Sequence, residues 1–492
     1  MNPVLHLILL LCLLLPATVS AADDTEKSNS PGDLITIWPL VDYRENKAAG
    51  SSKLSLLGPV LSFDRTREDS ASAFRPLVHS SGDRKGSMSF NYYLYPLATS
   101  ETTPDVSRIQ FIELFQKSTF RKNEPDETEH DSMIFPFYIS GKSDKYGTYT
   151  SVFPIYGDIY ERFWRDEYHY VLFPLYGRTV NKGTTNYNVL WPFFSVTTGE
   201  KEFGWRFWPI YGQAAKEGVY KSSFTLWPIF TSEEKVLENG GKSERFSFFP
   251  LYASYDTPSI TSRTWIWPFF GYASDREKEE EERNYLWPIW LTVSGKKRNV
   301  TKFLPFYSSE VYDDSTKNWY IWPLYKNETL WSKDYRQDID SILFFLFSKR
   351  TESWRLDKKE RTRTAFWPLF VYNSGVDGSS SLTMPALIEP ILDKDGIEKL
   401  WAPLWRIYDQ KWSEKGDSSL SLFWNLYWHD KREKSLEWEL FPLYRHRSAT
   451  SYLEMQFLKG LVNFTEDGNK RRLSLFWLPF GFDWTTGAEN RK

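Results

Sequence analysis

A short motif recurs along most of this chain: a bulky apolar residue, then proline, then further apolar residues. The thirteen strongest copies are Phe135-Pro136, Phe153-Pro154, Phe173-Pro174, Trp191-Pro192, Trp208-Pro209, Trp227-Pro228, Phe249-Pro250, Trp267-Pro268, Trp287-Pro288, Leu304-Pro305, Trp322-Pro323, Trp367-Pro368 and Phe441-Pro442. Weaker copies stand at Pro39, Pro59, Pro76, Pro96, Pro403 and Pro479. A fixed period of about 19 residues is the signature of a repeat architecture, in which one small unit is stacked many times.

The composition of the units indicates β-strands. Aromatic residues make up 18% of the chain, with 23 Trp, 29 Tyr and 36 Phe, and such residues favour pleated, half-buried surfaces. Between the motifs lie hairpin-type turns such as 181–183 (Asn-Lys-Gly) and 239–241 (Asn-Gly-Gly), and connections this short join antiparallel neighbours. The sequence therefore predicts an all-β fold: a tandem repeat in which each unit is one long strand and a turn, arranged as an antiparallel meander of roughly 24 strands.

The two faces of such a strand differ. Counting by twos through Pro209 places Phe203, Trp205 and Phe207 on one face, whereas the other face begins with Arg206 and is polar toward one end. The longer apolar face, with its tyrosines near the edge, favours a large closed β-barrel in a membrane, whose lumen would be lined by polar residues. The predicted lumen-lining residues are Arg206, Arg245, Arg263 and Lys302.

The prolines argue against this barrel. A proline within a strand cannot donate to the ladder, and one per strand would leave unpaired carbonyl groups in lipid. The alternative is that the proline bends each strand, so that its halves lie in two packed sheets, which gives a bent-strand β-sandwich or an elongated β-repeat array.

The start of the chain predicts export. The first 22 residues contain no charged side chain, and an aliphatic run from Val4 to Leu15 precedes the small residues Ala21 and Ala22, as in a secretory signal peptide. The chain's only cysteine, Cys12, lies in this segment, so disulfides and thiolate sites are not expected in the mature protein. We expect an exported protein, located in the outer membrane or alternatively in the periplasm or on the cell surface.

The charge balance excludes some partners. With 61 basic and 64 acidic residues the net charge is −3, which gives no electrostatic case for nucleic acid or for an anionic membrane surface. Mean hydropathy is −0.51, and no second apolar run approaches the ~20 residues of a membrane-spanning helix. Outer-membrane lipid is the expected partner, and the sequence identifies no particular protein or glycan partner.

Composition divides the chain into segments with different expected structure. These are a signal peptide (1–22), a disordered leader (23–33), degenerate β-repeats (34–119), a polar loop (120–132), regular aromatic-proline repeats (133–372), an irregular loop or altered unit (373–400), further β-repeats (401–484) and a polar tail (485–492).

A search for catalytic chemistry gives nothing that a turn or a surface residue does not explain. The six histidines are scattered without the spacing of metal ligands, and the acidic run from Glu277 to Glu282 lacks the pattern of a calcium loop. Neither a cofactor, a metal nor an enzymatic activity is expected. The prediction is a non-enzymatic outer-envelope protein that serves as a pore, a conduit or a structural element, or alternatively a soluble scaffold that binds a protein, glycan or lipid.

Units such as 367–370 (Trp-Pro-Leu-Phe) and 249–252 (Phe-Pro-Leu-Tyr) resemble those of uncharacterised exported bacterial proteins with tandem aromatic-proline repeats. The resemblance covers nearly the whole mature chain and is weakest before residue 130. It implies export and repetition, and it implies no activity and no functional residues.

Overall fold

A computed structural model describes residues 33–46, 50–112, 115–121, 128–143, 145–478 and 480–485. About 63% of the chain is β-strand and about 3% is helix, so the all-β prediction is confirmed. The predicted signal peptide, leader and polar tail lie almost entirely outside the described residues, as does part of the predicted polar loop.

The strands are short, with four to eight residues each. Strands β1 to β11 are Leu34–Ile37, Val41–Asn46, Ser51–Leu56, Leu61–Arg65, Asp69–Phe74, Val78–Asp83, Ser89–Tyr93, Ala98–Thr102, Val106–Phe111, Phe115–Arg121 and Thr128–Ile134. Strands β12 to β23 are Tyr138–Ser143, Gly147–Val152, Tyr156–Arg162, Arg165–Val171, Tyr176–Asn181, Thr184–Val189, Phe194–Gly199, Glu202–Phe207, Tyr211–Lys216, Tyr220–Thr225, Phe230–Val236 and Lys242–Phe248.

The later strands have the same lengths. Strands β24 to β35 are Tyr252–Asp256, Ile260–Trp265, Phe270–Asp275, Glu280–Leu286, Trp290–Gly295, Arg298–Phe303, Tyr307–Tyr312, Ser315–Tyr320, Tyr325–Trp331, Tyr335–Ile342, Phe347–Trp354 and Lys359–Phe366. Strands β36 to β46 are Phe370–Ser374, Ser380–Met384, Tyr408–Trp412, Ser418–Leu422, Tyr427–Arg432, Ser435–Leu440, Tyr444–Ala449, Tyr452–Phe457, Val462–Asp467, Lys470–Leu475 and Gly481–Thr485.

Each repeat unit forms two strands, not one. In a typical unit β19 ends at Phe207, residues 208–210 turn with Pro209 in the middle, and β20 begins at Tyr211, which pairs with Phe207. Proline has no amide to donate to a ladder, so it occupies a turn rather than a strand interior. The predicted count of roughly 24 long strands is therefore wrong, and the structure has 46 short ones.

Consecutive strands pair antiparallel, so the predicted meander is confirmed, and all 46 strands belong to one sheet. Among the described residues no hydrogen-bonded pairing joins β1 to β46, so the predicted closed β-barrel is wrong. The bent-strand sandwich is also wrong, because the chain reverses at each proline and remains in the same sheet. The physical reason for the open edge is that β1 lies against the face of the C-terminal strands, through side chains such as Thr36, instead of alongside β46.

Two short helices interrupt the sheet between β37 and β38. They are α1 (Asp395–Leu400) and α2 (Ala402–Trp405), and a single 3-10 turn follows at Leu458–Gly460. Leu400 and Ala402 are fully buried. In the described part of the chain, no helix has both the length and the apolar character needed to cross a bilayer.

A single layer of strands buries little apolar surface. Of the residues that the structure describes, fourteen apolar ones are buried, several of them in small clusters such as Leu291, Val293 and Val300, whereas several times as many large apolar residues are exposed. Soluble domains bury an apolar face against a second layer. The described sheet leaves most of its large apolar side chains on the outside.

Candidate functional site

The sheet has two chemically different faces. In β18 and β19, Phe194 and Phe207 point to one face, where their rings stack with centroids 4.9 Å apart. Ser195 and Arg206, which alternate with them, point to the other face, and Ser195 is buried. We call these the aromatic face and the polar face. Side chains alternate between faces because the pleat has a period of two.

The aromatic face is most apolar beside the proline turns. We call the residues that directly flank these turns the first row, and between residues 152 and 325 all but Thr225 are aromatic or aliphatic. The first row consists of Val152, Tyr156, Val171, Tyr176, Val189, Phe194, Phe207, Tyr211, Thr225, Phe230, Phe248, Tyr252, Trp265, Phe270, Leu286, Trp290, Phe303, Tyr307, Tyr320 and Tyr325.

The next residues on the same face are mostly polar. This second row, two residues further from the turns, includes Asp158, His169, Arg178, Gln213, Ser223, Ser232, Ser254, Arg263, Thr301, Ser309, Asn318 and Asn327. Its apolar exceptions are Tyr187, Val196, Trp205, Phe246 and Tyr272. The apolar zone is therefore about one row deep below the turns.

The proline turns line up along one edge of the sheet. We call ten consecutive turns the proline rim: residues 153–155, 172–175, 190–193, 208–210, 226–229, 249–251, 266–269, 287–289, 304–306 and 321–324. Every residue in them is apolar. Their side chains are well exposed, for example Trp267 at 55%, Phe306 at 59% and Ile321 at 58%.

The backbone of the proline rim is hydrogen-bonded from one turn to the next. The amide of Trp227 donates to the carbonyl of Pro209 at 2.7 Å, Leu226 donates to Ile210 at 2.7 Å, and Ile229 donates to Leu226 at 2.8 Å. The same pattern satisfies every amide in the ten turns. Because proline itself has no amide, no backbone donor of these turns is left without a partner.

The opposite edge of the sheet carries polar turns. This polar rim consists of residues 182–183, 200–201, 217–219, 237–241, 257–259, 276–279, 296–297 and 313–314. Most of its residues are charged, polar or glycine, and Gly218 has a φ of +70°, which glycine adopts without strain. Strands of about six residues at ~3.3 Å each separate the two rims by roughly 20 Å.

Three of the four predicted lumen-lining residues lie on the polar face. Arg206 donates from Nη2 to the side-chain oxygen of Asn188 at 3.2 Å, and burial lowers its pKa. The Arg245 guanidinium lies 4.9 Å from the centroid of the Tyr255 ring.

Lys302 is also on the polar face, with its Nζ 2.7 Å from a carboxylate oxygen of Glu310. Arg263 differs, because it lies in the second row of the aromatic face beside Trp265 and donates to Asp256 at 2.9 Å. The structure does not bring the four residues together at one point. That they line a conduit stays a prediction.

The polar face carries hydrogen-bonded networks along neighbouring strands. Glu202 accepts from the hydroxyls of Thr184 and Tyr220, each at 2.7 Å, and lies 3.1 Å from the Nζ of Lys216. Burial alone would raise the pKa of Glu202, but these three partners hold it below its usual range. Burial and the neighbouring Glu202 raise the pKa of Tyr220 to about 12.

The polar faces of β1 and β2 meet those of β40 to β42 at a seam, formed by contacts between residues 36–95 and 396–459. Thr36 in β1 donates to Glu439 at 2.6 Å, and Arg445 donates from Nε to the same carboxylate at 3.0 Å. Lys459 also pairs with Glu439. Burial alone would raise the pKa of Glu439, but Arg445 and Lys459 keep it below its usual range.

Helix α1 extends the seam toward the middle of the N-terminal strands. Arg75 donates from Nε to the carbonyl of Lys399 at 2.7 Å, and Trp401 donates from Nε1 to the carbonyl of Tyr95 at 2.8 Å. These bonds join segments more than 300 residues apart, and the side chain of Leu400 is completely buried there.

A cavity of about 240 Å³ lies in the seam. Three acidic and three basic side chains line it, so its charge favours neither an anion nor a cation: Asp42, Asp64, Asp409, Lys53, Arg75 and Arg406.

The surroundings of His79 and His169 are those of structural residues and not of metal ligands. His79 is buried, and burial together with Lys399 and Arg75 lowers its pKa to about 4. His169 lies 2.6 Å from Asp158 in the second row. Within the ranges that the structure describes, no three histidine, aspartate or glutamate side chains are grouped to hold a metal ion.

No protein-family model matches the chain. A comparison with curated proteins gives no match either.

The proline rim and the seam are features that sequence reasoning missed. The signal for the rim was present, because each proline lies midway between two polar turns, with about six residues on either side, which is the length of one strand. The seam has no comparable signal, because its partners are separated by most of the chain.

Proposed function

We propose that this protein is a non-enzymatic β protein of the outer envelope that attaches to membrane lipid through its aromatic surface and serves as a structural element or conduit. The observation that carries the proposal is the inverted distribution of side chains. Residues such as Ser195 and Glu439 are buried, whereas Trp267 and Phe306 are half exposed.

The size of the apolar surface supports lipid contact. The proline rim joins twenty consecutive strands, which at ~4.8 Å per strand extend over about 95 Å. Soluble monomers rarely expose a contiguous apolar patch of more than a few hundred Å². A soluble periplasmic or surface scaffold would need a partner that covers this whole edge.

Export fits the same proposal. The sequence of the first 22 residues is typical of a signal peptide, and the outer membrane is the compartment in which β-structure and lipid meet. Outer-membrane lipid is the proposed partner.

Fractionation of the host envelope tests the proposal. We expect the mature protein to stay with the membranes through carbonate and urea washes and to need detergent for release. A variant with Ile210→Glu and Leu251→Glu, both in the proline rim, should move to the soluble fraction, since each glutamate would have to enter lipid.

The matched control replaces two aliphatic residues far from the proline rim by glutamate. Val219 and Val236 are exposed apolar residues near the polar rim, so Val219→Glu with Val236→Glu should leave the fractionation unchanged. Release of the unmodified protein by carbonate alone would refute membrane attachment.

A further inference from the structure

We infer that the proline rim enters one leaflet of a bilayer only, while the polar rim remains in water on the same side. This inference rests on the proposed function and adds the part of the molecule that meets lipid, the depth of insertion and the orientation.

The depth of the apolar zone decides between insertion and spanning. A proline turn together with the first row covers about three residues along the strand direction, or roughly 10 Å at ~3.3 Å per residue. An outward apolar band of ~25 Å is needed for β-strands that cross a bilayer. Insertion at the interface needs only ~5–10 Å, which matches the proline rim.

Polar side chains mark the lower limit of the apolar zone. In the second row, Arg263 with its partner Asp256 and the neutral Asn318 would be costly in hydrocarbon and are suited to the headgroup region. Transmembrane barrels keep their lipid-facing residues apolar across the whole band. This aromatic face does not.

One basic side chain just below the proline rim has no ionic partner among the described residues. Arg206 lies on the polar face, two residues before the turn at 208–210. It donates a hydrogen bond to the neutral side chain of Asn188. Within the described residues no carboxylate pairs with it. With the turn in the acyl region, this guanidinium would lie at the level of the phosphates, where an Arg–phosphate bond is favourable.

The backbone of the proline rim is suited to hydrocarbon. A lipid core offers no hydrogen bonds, so backbone amides that enter it need partners within the protein. In the rim these partners are the carbonyls of the same and the preceding turn, as for Trp227 and Pro209. The rim carries no charged side chain, and its exposed side-chain donors are the indole N–H groups of its tryptophans, which suit the interface between hydrocarbon and headgroups.

The chain termini leave the sheet away from the proline rim. Strand β1 begins with Leu34 at the edge that carries the polar turns and runs toward Pro39, and β46 ends with Thr485 at that same edge. Both described ends of the sheet therefore lie at the edge opposite the proline turns.

Single fluorophores on the full-length protein test the inference. In a Cys12→Ser background, one cysteine is placed in the proline rim (Ile229→Cys) or in the polar rim (Lys201→Cys) and labelled with a nitrobenzoxadiazole dye. The labelled proteins are added to vesicles of phosphatidylcholine with phosphatidylglycerol. Leu251→Cys replaces Ile229→Cys if the latter does not fold, as judged by circular dichroism.

We expect lipids with a quencher on the acyl chain to remove most of the emission of the label at 229 and little of that at 201. Dithionite added outside the vesicles should bleach the label at 201 completely. If bleaching at 201 requires permeabilised vesicles, the polar rim has crossed the bilayer and one-leaflet insertion is refuted.

Two other outcomes also overturn the inference. A label at 229 that stays unquenched on vesicle-bound protein shows that another surface holds the membrane. If the emission of the label at 229 shifts to shorter wavelength without lipid as the protein concentration rises, a second copy of the protein covers the rim. The absence of any vesicle binding refutes the proposed function itself, so the two failures are distinguishable.

Discussion

The hydroxyl of Thr36 donates a hydrogen bond to the carboxylate of Glu439 at 2.6 Å, although 403 residues separate them. The bond joins the first strand of the sheet to its forty-first. Strands β1 and β41 are thus held together by side chains of the polar face, while the backbone edges of β1 and β46 remain unpaired with each other in the described residues.

Loss of the Glu439 charge should loosen the seam. The side chain of Glu439 is 2% exposed and that of Arg445 is 9% exposed, so Glu439→Gln leaves buried cations without their carboxylate. Removing one partner of a buried ion pair costs about 3–5 kcal/mol. We expect faster amide hydrogen exchange in β1 and β2, and Glu433→Gln in an exposed turn is the control. Unchanged exchange in β1 would show that the pair does not hold the ends.

The seam should also weaken in mild acid because of His79. Its pKa is lowered from 6.5 to about 4 by burial and by Lys399 and Arg75, so the folded protein keeps it neutral where the unfolded chain takes up a proton. Its contribution to stability is complete above pH 6.5, falls as the pH decreases toward 4, and is constant below that value.

Thermal unfolding at about pH 7 and about pH 5 measures this contribution. We expect the unfolding temperature of the natural protein to fall between these conditions, and His79→Gln to reduce the difference. The pKa of Glu439 lies below its ordinary 4.5, so the stability from that group is lost only in stronger acid, which separates the two effects. An equal pH response in the His79 variant would contradict the assignment.

Truncation of Leu400 should destabilise the contact between α1 and the N-terminal strands. The side chain is completely buried, and Leu→Ala at such sites costs about 2–5 kcal/mol through lost burial and the remaining cavity. Leu392→Ala, at a position that is 48% exposed, should change stability by no more than about 0.5 kcal/mol. Denaturant unfolding of both variants measures the difference, and similar midpoints would argue against a packed helix.

Gly157 and Gly177 each follow a tyrosine of the first row and lie on the polar face. Alanine substitutions at the two positions compare a tightly packed site with an open one. A Cβ at Gly157 would lie 2.3 Å from the Tyr170 ring, whose hydroxyl is held by Ser151, whereas a Cβ at Gly177 would meet only a carbonyl at 3.8 Å. We expect Gly157→Ala to cost about 1–3 kcal/mol and Gly177→Ala to be nearly neutral. The difference in unfolding temperature between the two variants is the measurement, and equal values would show that the ring moves aside freely.

The sequence pattern predicted the class of fold and the chemistry of each face, but not the path of the chain. Phe203, Trp205 and Phe207 share a face as predicted, and Arg206 lies on the opposite one. The residues are assigned to the correct faces although the strand number is wrong, because the three-residue turn at 208–210 places Tyr211 opposite Phe207 and keeps both on one face. Arg263 shares the aromatic face with Trp265, and its spacing of two residues from Trp265 already indicates this.

The contact between β1 and β41 could not be predicted from the sequence. Strand pairing between neighbours follows from turn chemistry, which is local, whereas Thr36 and Glu439 meet only because the curvature accumulated over some forty strands brings them together. A small error in the predicted twist of each hairpin would move these partners apart, and no local sequence pattern indicates the total curvature of the sheet.

Hydrogen bonds join each turn of the rim to the turn before it, as between Trp227 and Pro209. Duplication or deletion of one hairpin in the middle of the gene would leave these bonds intact and shift the last strands by about 10 Å relative to the first. The pairing of Thr36 with Glu439 tolerates no such shift. The seam contacts therefore fit the present number of hairpins, whereas the turn-to-turn bonds alone would allow a longer or a shorter array.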